Sequence, residues 1–428
     1  MNNIPHTVTP RLAEVPEYRL AATCNGVPIY TVECNEYDVV RITFFFRAGT
    51  SLQRVPFAAS ATANMLSEGT AGDVPLTSQE IAEWFDYYGS YFDVNIDRDY
   101  VYVNFCMLSR FLEATLSVAE DILLHPAFPE DELRTYAAKR RQRLTIERMK
   151  VDTLAREELA RCLFGSEHPY GRISPAEAYD MLTRDDLAEH YRRCYTAERC
   201  MVVCSGRMDC GVVEAVSRIA ARLPHADGLF TTPEFPAPLS TRESFIERPE
   251  AVQSSLRVAR RLFPRTHPDF VGMQVVAMAL GGYMGSRLMQ NLRERNGFTY
   301  GVVAAMVNFE REGYFAVSTQ VDADVTQQAV DEIYAEIERL RCEPMPAEEL
   351  EMVRNMMLGE MMRILDGPFG LADVAIENIL SGCHNSVLLR NMQEIRTITP
   401  DRIRSLAARY LSREELVTVV VGRRRNLD

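Results

Sequence analysis

Tyr195–Gly206, YTAERCMVVCSG, and Tyr410–Gly422, YLSREELVTVVVG, are one motif written twice. Each opens on a tyrosine, passes a polar turn and ends in a short apolar run closed by a glycine. Such runs, bounded by turn residues, read as buried strands. The closing glycines lie 216 residues apart, and the same register holds upstream. Thr183-Arg184-Asp185-Asp186-Leu187 matches Thr399-Pro400-Asp401-Arg402-Ile403 at the same offset. Pro129-Glu130-Asp131-Glu132-Leu133 matches Pro346-Ala347-Glu348-Glu349-Leu350 at an offset of 217. Three ordered matches in one register imply two copies of one unit, and a period this long means paired domains rather than a solenoid.

Length agrees with that reading. At 428 residues the chain exceeds one ordinary core and suits two domains of about 200 residues. The expected division is residues 1–224, a linker at 225–243 and a second domain at 244–428. Pro224–Glu243 holds four prolines and no apolar period, as a semi-rigid connector would. A hydrophobic fraction of 47% with 25% charged residues is that of a soluble globular protein. The net charge of −13 excludes nucleic acid as a main partner, because that affinity comes from cationic contacts to phosphate. Lys139-Arg140-Arg141-Gln142-Arg143 and Arg423-Arg424-Arg425 read as a solvated helix face and a charged tail. No run of about 18 apolar residues spans a membrane. The ten cysteines fall singly, without a C-x-x-C pair, and the N-terminus lacks signal-peptide regions. A reducing, cytoplasmic setting is expected. Cys194, Cys200, Cys204 and Cys210 cluster, but Cys204 sits in a buried-strand run, so they read as small hydrophobes rather than zinc ligands.

Within the first copy, Val39–Phe46 reads as a strand, followed by a helix from about 56 to 66. Thr77-Ser78-Gln79-Glu80 is a capping box opening the next helix. Residues 91–106 alternate as one or two half-buried strands, and helices follow at about 109–123 and 130–149. After His168-Pro169-Tyr170-Gly171 come a short helix and the closing strand. The fold class expected is α+β: two homologous α/β sandwich domains, each an antiparallel sheet with helices packed on it.

Gly281–Tyr300, GGYMGSRLMQNLRERNGFTY, reads as a Gly-Gly turn, an amphipathic helix, a glycine stop and a strand. Arg293 falls on the last helical turn and Tyr300 on the strand, so both could reach one ligand. This element resembles the arginine–tyrosine substrate-binding segment of the pitrilysin/insulinase family of zinc peptidases. FFFRAGT, ASATANMLSEGT and FGSEHPYGR extend the likeness along the chain, particularly to the family's shorter two-domain members. The resemblance implies a zinc motif H-x-x-E-H just before Met65-Leu66-Ser67-Glu68-Gly69-Thr70. In this chain those positions are Ser60, Ala63 and Asn64. Two imidazoles on one helical face hold the metal and the glutamate takes the water's proton, and none of that chemistry is available here. The third ligand, a glutamate near residues 141–144, is replaced by Arg141-Gln142-Arg143-Leu144, so no metal is expected in this chain. Arg141 or Arg143 could set a cation where the metal would sit; the simpler expectation is that both face solvent.

The resemblance implies that Arg293 and Tyr300 contact the carbonyls of an extended peptide, a role that suits guanidinium and phenol donors. Arg295 competes for the arginine role. His168 and Tyr170 read as loop packing, Asp97 and Asp99 as the solvent face of a strand. His190 reads as a helix-end ring whose charge would favour the dipole. In two-chain members of the family, one subunit carries the zinc motif and the other the arginine–tyrosine pair. This chain looks like the second kind: a non-catalytic substrate-binding subunit of a heteromeric zinc peptidase, with zinc in a homologous partner and a possible homodimer when isolated. The alternative is a degenerate homologue serving as a peptide-binding or assembly scaffold without proteolysis.

Overall fold

The computed structural model describes residues 17–208, 211–226, 242–365, 367–384 and 386–423. Cys210, most of the expected linker and Arg424-Arg425 lie outside them. The first half supplies strands β1 (Arg19–Cys24), β2 (Val27–Glu33), β3 (Val39–Phe46), β4 (Tyr91–Ile96), β5 (Val101–Leu108) and β6 (Cys200–Gly206). They form one sheet in the order β1-β2-β6-β3-β5-β4. The second half supplies β7 (Glu243–Glu247), β8 (Gln253–Leu262), β9 (Val302–Asn308), β10 (Gly313–Asp322) and β11 (Val417–Gly422), in the order β7-β11-β8-β10-β9. The two orders superpose as β7 on β2, β11 on β6, β8 on β3, β10 on β5 and β9 on β4. The repeated segments Tyr195–Gly206 and Tyr410–Gly422 end as β6 and β11. Each sheet is antiparallel apart from one parallel pair, β2 with β6 and β7 with β11. A long stretch of further strands and helices separates the partners of each parallel pair, since parallel strands cannot be joined by a tight turn.

Helices of the first half are α1 (Ala58–Asn64), α2 (Ser78–Tyr88), α3 (Leu112–Leu124), α4 (Glu130–Glu147), α5 (Val151–Phe164), α6 (Arg184–Cys194) and α7 (Val212–Arg222). Those of the second are α8 (Phe270–Ala277), α9 (Thr326–Cys342), α10 (Ala347–Ile364), α11 (Gly367–Leu380), α12 (Ser386–Thr397) and α13 (Pro400–Tyr410). The capping box at Thr77 forms as its spacing predicts, with Glu80 answering the Thr77 backbone N–H at 2.8 Å. Thr183 and Asp186 make the same device at α6. No helix among the described residues is long and apolar enough to cross a membrane. In the first half, strands β1 and β2 and helices α5 and α7 are elements that sequence periodicity did not predict.

One face of the first sheet buries Ile42, Phe44, Val103 and Phe105 against α1, α3, α6 and α7. One face of the second buries Val258, Phe315 and Val317 against α8, α9 and α13. The opposite faces are covered by exchange. α5, from the first half, lays Ala155, Leu159, Leu163 and Phe164 on Ala259, Ala316, Val419 and Val421 of the second sheet. α11, from the second half, lays Leu371, Ala375 and Ile376 on Val32, Phe45 and Val203 of the first. The two helices occupy the same place in the repeat, both ends 216 residues apart. Each fully buried Leu or Phe of this kind contributes about 1.5–3 kcal/mol. The exchange therefore ties the halves together through their cores rather than through a polar rim.

Polar struts finish the joint. Asp99 is buried, accepts from the Tyr170 hydroxyl at 2.6 Å and takes the Glu310 backbone N–H at 2.9 Å. Arg47 pairs with Glu310 at 2.9 Å. The expectation that Asp99 lies on the solvent face of a strand is thus corrected: it sits in the loop between β4 and β5, where Glu310 of the second half covers it. Asp97 keeps its exposure but spends its oxygens on the Asp99 and Tyr100 N–H groups at 2.7 Å and the Tyr102 hydroxyl at 2.8 Å.

Candidate functional site

The helix that would carry a zinc motif is α1, and its sequence AASATAN explains its packing. Four alanines let it sit in the core, with Ala58, Ala59, Ala61, Thr62 and Ala63 all buried. Ser60 and Asn64 share the face turned to α4, as a spacing of four dictates. The Ser60 hydroxyl donates to the Phe57 carbonyl at 3.0 Å, and the Asn64 amide donates to the Ser60 carbonyl at 2.7 Å. From α4 the Arg140 guanidinium reaches Asn64 Oδ1 at 3.0 Å while lying over the Tyr136 ring. Phe57, held at φ 67°, stacks flat on Tyr179 with centroids 3.9 Å apart. A cation does reach α1, but from neither expected residue. Arg141 pairs with Asp180 at 2.7 Å and Arg143 with Glu147 at 2.8 Å, both away from Ser60 and Asn64. The reason is helical phase: Leu133, Tyr136, Ala137, Arg140 and Leu144 form the inward stripe of α4, and Arg143 falls outside it.

These residues do not fit zinc. Ser60 and Asn64 are engaged with backbone, Ala63 offers no donor, and Arg140 places a positive charge beside the positions that would hold a cation. Among the described residues no three His, Cys, Asp or Glu side chains gather as metal ligands. Cys194, Cys200 and Cys204 are separate buried thiols, raised above the ordinary thiol range by burial.

The second-half element is anchored from below and open above. Leu288, Met289 and Leu292 enter the core, and Gly281 is obligatory because a Cβ there would stand 2.6 Å from the Ala304 backbone nitrogen of β9. Asn291 is buried and donates to both Glu332 and Glu336 at 2.7 Å. Arg287 clamps Glu349 through two bonds of 2.7 and 2.9 Å. Residues Met278–Gly282 and Met289–Arg295 wind as π-type turns rather than an ordinary α-helix, a widening often found at functional sites. Gly297, at φ 65°, ends the second turn, and the Phe298 N–H closes it on the Leu292 carbonyl at 2.8 Å.

Arg293 stands on the last turn as expected. Among the described residues its guanidinium meets only the Met284 sulfur at 3.5 Å and, at 3.8 Å, the adjacent Glu294. Tyr300 lies in the loop before β9, not within the strand, and is 92% exposed. Thr299 pins that loop by donating to the Gln320 carbonyl at 2.7 Å. Tyr300 borders a surface depression with Asp152, Arg257 and Gln253; Arg293 does not line it. The two residues thus flank the same glycine turn without sharing a walled pocket. Arg295 is exposed on the same turn and keeps its place as a competitor. Next to them β9 is the edge strand of its sheet, with Val303 facing outward.

His190 and His168 are structural. Burial pushes His190 down to about 4 and its Nε2 lies 3.0 Å from the Ala48 carbonyl. A ring that is neutral at pH 7 does not serve the helix dipole as a cation, which corrects the helix-end expectation. His168 accepts the Tyr170 N–H at 3.1 Å and packs on Phe164, as loop packing predicts.

Comparison with known proteins agrees with this geometry. Residues 181–357 match the model of the peptidase M16 inactive domain. The "uncharacterized zinc protease YmxG" of Bacillus subtilis is 24% identical over 80% of this chain and 84% of its own length. The "probable mitochondrial-processing peptidase subunit beta" of Arabidopsis thaliana is 20% identical over 96% of this chain and 79% of its own. The crystal structure of a peptidase M16 inactive domain from Pseudomonas fluorescens matches the fold with a TM-score of 0.85 at 23% identity, covering 96% of this chain and 99% of that one. A protease from Helicobacter pylori matches with a TM-score of 0.86 at 14% identity, covering 96% of this chain and 100% of that one. These matches support a pitrilysin/insulinase-type family member of the inactive kind, with the family model itself matching the stretch 181–357.

Proposed function

We propose that this chain is the non-catalytic, substrate-binding subunit of a heteromeric zinc metallopeptidase. A homologous partner with an intact H-x-x-E-H helix supplies the zinc and the general base. This chain binds an extended peptide along an exposed sheet edge, with Arg293 and Tyr300 donating to a backbone carbonyl. The observation that carries the reading is the contrast in polar satisfaction. Donors around α1 are bonded to their own chain, whereas the Tyr300 phenol projects into solvent from a rigidly pinned loop. The Arabidopsis relative's name, a subunit of a processing peptidase, supports a multi-chain setting. Unpaired thiols among the described residues support a reducing, cytoplasmic location, which fractionation would check.

The test is co-purification with a homologous chain bearing the intact motif, followed by cleavage assays on an internally quenched peptide. Activity is expected only in the mixture, and Arg293→Ala or Tyr300→Phe should lower kcat/KM about a hundredfold. Wild-type activity in both variants would remove their assigned role. A stable complex with no cleavage would instead favour the assembly-scaffold reading.

A further inference from the structure

A cavity of about 450 Å³ opens between the halves beside Ser60. Its second-half side is Val307, Phe309 and Tyr314, and its first-half side comes from α4, α5 and the loop between β4 and β5. Four arginines line it, Arg98, Arg148, Arg156 and Arg172, against two glutamates, Glu147 and Glu157. Both glutamates are already committed. Glu157 takes three bonds from Arg148 at 2.9, 3.0 and 3.1 Å, and Glu147 takes Arg143 at 2.8 Å. Arg172 donates to the Glu167 carbonyl at 3.4 Å. The guanidiniums of Arg98 and Arg156 make no hydrogen bond or ion pair with any described residue. Asp99, the acid beside Arg98, has spent both oxygens on Tyr170 and the Glu310 N–H.

Two uncommitted guanidiniums on one cavity repel each other, and burial strips Arg98 of part of its solvation, an arrangement that costs stability unless an anion compensates. The surrounding chain is strongly acidic, so a cationic recess cannot be a by-product of overall charge. Phe57, Leu144, Leu159, Phe164 and Phe309 give the wall an apolar part. Phosphate has no group for such a wall, whereas a carboxylate on an apolar residue has one for each part. At the same wall the Thr50 hydroxyl and the Gln53 amide oxygen are buried with no partner, a donor and an acceptor that match the C=O and N–H of one peptide unit.

We infer that this interdomain cavity binds the free C-terminal carboxylate of a peptide through Arg98 and Arg156, with the terminal apolar side chain against Phe57, Phe164 and Phe309. The inference rests on the peptide-binding reading above and names the end of the peptide that is gripped. It predicts recognition of a chain terminus independent of the contact made by Arg293 and Tyr300.

The test uses the full chain and an N-terminally fluorescein-labelled alanine-rich hexapeptide ending in leucine, as free acid and as amide, read by fluorescence anisotropy. The acid should bind about tenfold tighter than the amide, and added salt should shrink that gap. Arg156→Gln removes one cation from an exposed position on α5 and should abolish the preference without altering the fold; Arg98→Gln should do the same. Equal affinity for acid and amide overturns this inference and leaves the peptide-binding reading intact. Binding of neither form overturns both. Displacement of the peptide by 4-methylpentanoate at equal concentration overturns the peptide assignment in favour of a free aliphatic acid.

Discussion

Helix α1 and the Gly281–Tyr300 turn occupy the two halves of one duplicated fold, and they have been driven to opposite ends of polar satisfaction. In the first half, small residues draw α1 into the core and Arg140 closes its outer face by bonding Asn64. In the second, Gly281 and the buried Asn291 bond network fix the backbone, yet Tyr300 is left standing in solvent. Around α1 the polar groups are met by the chain's own side chains, while the Tyr300 phenol stays open, as the proposed peptide site requires. The difference teaches how to tell a vacated site from a waiting one: by whether the neighbouring donors are already used.

The comparison can be broken at the helices that bind the halves together. Phe164 is almost wholly buried and meets Tyr170, Phe309 and Tyr314. Phe164→Ala should cost about 4 kcal/mol in urea denaturation, and Ile376→Ala on the exchanged partner α11 about 3 kcal/mol. Wild-type stability in either variant would mean that the exchange does not hold the halves.

Acid should act on the first half before the second. His190 is buried and neutral, and the residue 216 positions on is the buried Leu406, which does not titrate. Its folded pKa, about 4, lies below the unfolded value near 6.5, so protonation favours unfolding. The stability it contributes is whole above about pH 6.5 and is lost as pH falls toward about 4. The loss amounts to about 3 kcal/mol, read as the difference between wild type and His190→Gln across that window. Parallel pH curves for the two would show that the ring is not held neutral.

A smaller contrast sharpens the same comparison. The tyrosines that open the repeated motif differ in their partners: the Tyr410 hydroxyl donates to Asp269 at 2.5 Å, whereas the Tyr195 hydroxyl is buried with none among the described residues. Tyr410→Phe should cost about 2 kcal/mol, and Tyr195→Phe about zero or slightly less than zero. Equal costs would show that Tyr195 finds a bonded water.

Much of the fold was legible from short-range pattern. Val39–Phe46 as a strand, the Thr77 capping box and the helix opening at Glu130 follow from period and capping chemistry that neighbours in sequence decide. The site was legible only in part. The missing ligands at Ser60, Ala63 and Asn64 are a matter of residue type, but which arginine of Lys139–Arg143 reaches them depends on helical phase. The inward stripe from Leu133 to Leu144 carried that signal. Asp99 offered none, since its partners lie 71 and 211 residues away.

The sequence alone determined that one unit is present twice, that its first copy lacks zinc chemistry, and that its second keeps an arginine and a tyrosine around a glycine turn. These follow from residue identity and local spacing. Only the tertiary structure decided that α5 and α11 change places, that Arg140 fills the vacated face, and that Arg98 and Arg156 meet in one cavity. Those outcomes depend on contacts between elements far apart in the chain, where burial and charge are set by whatever the fold brings alongside.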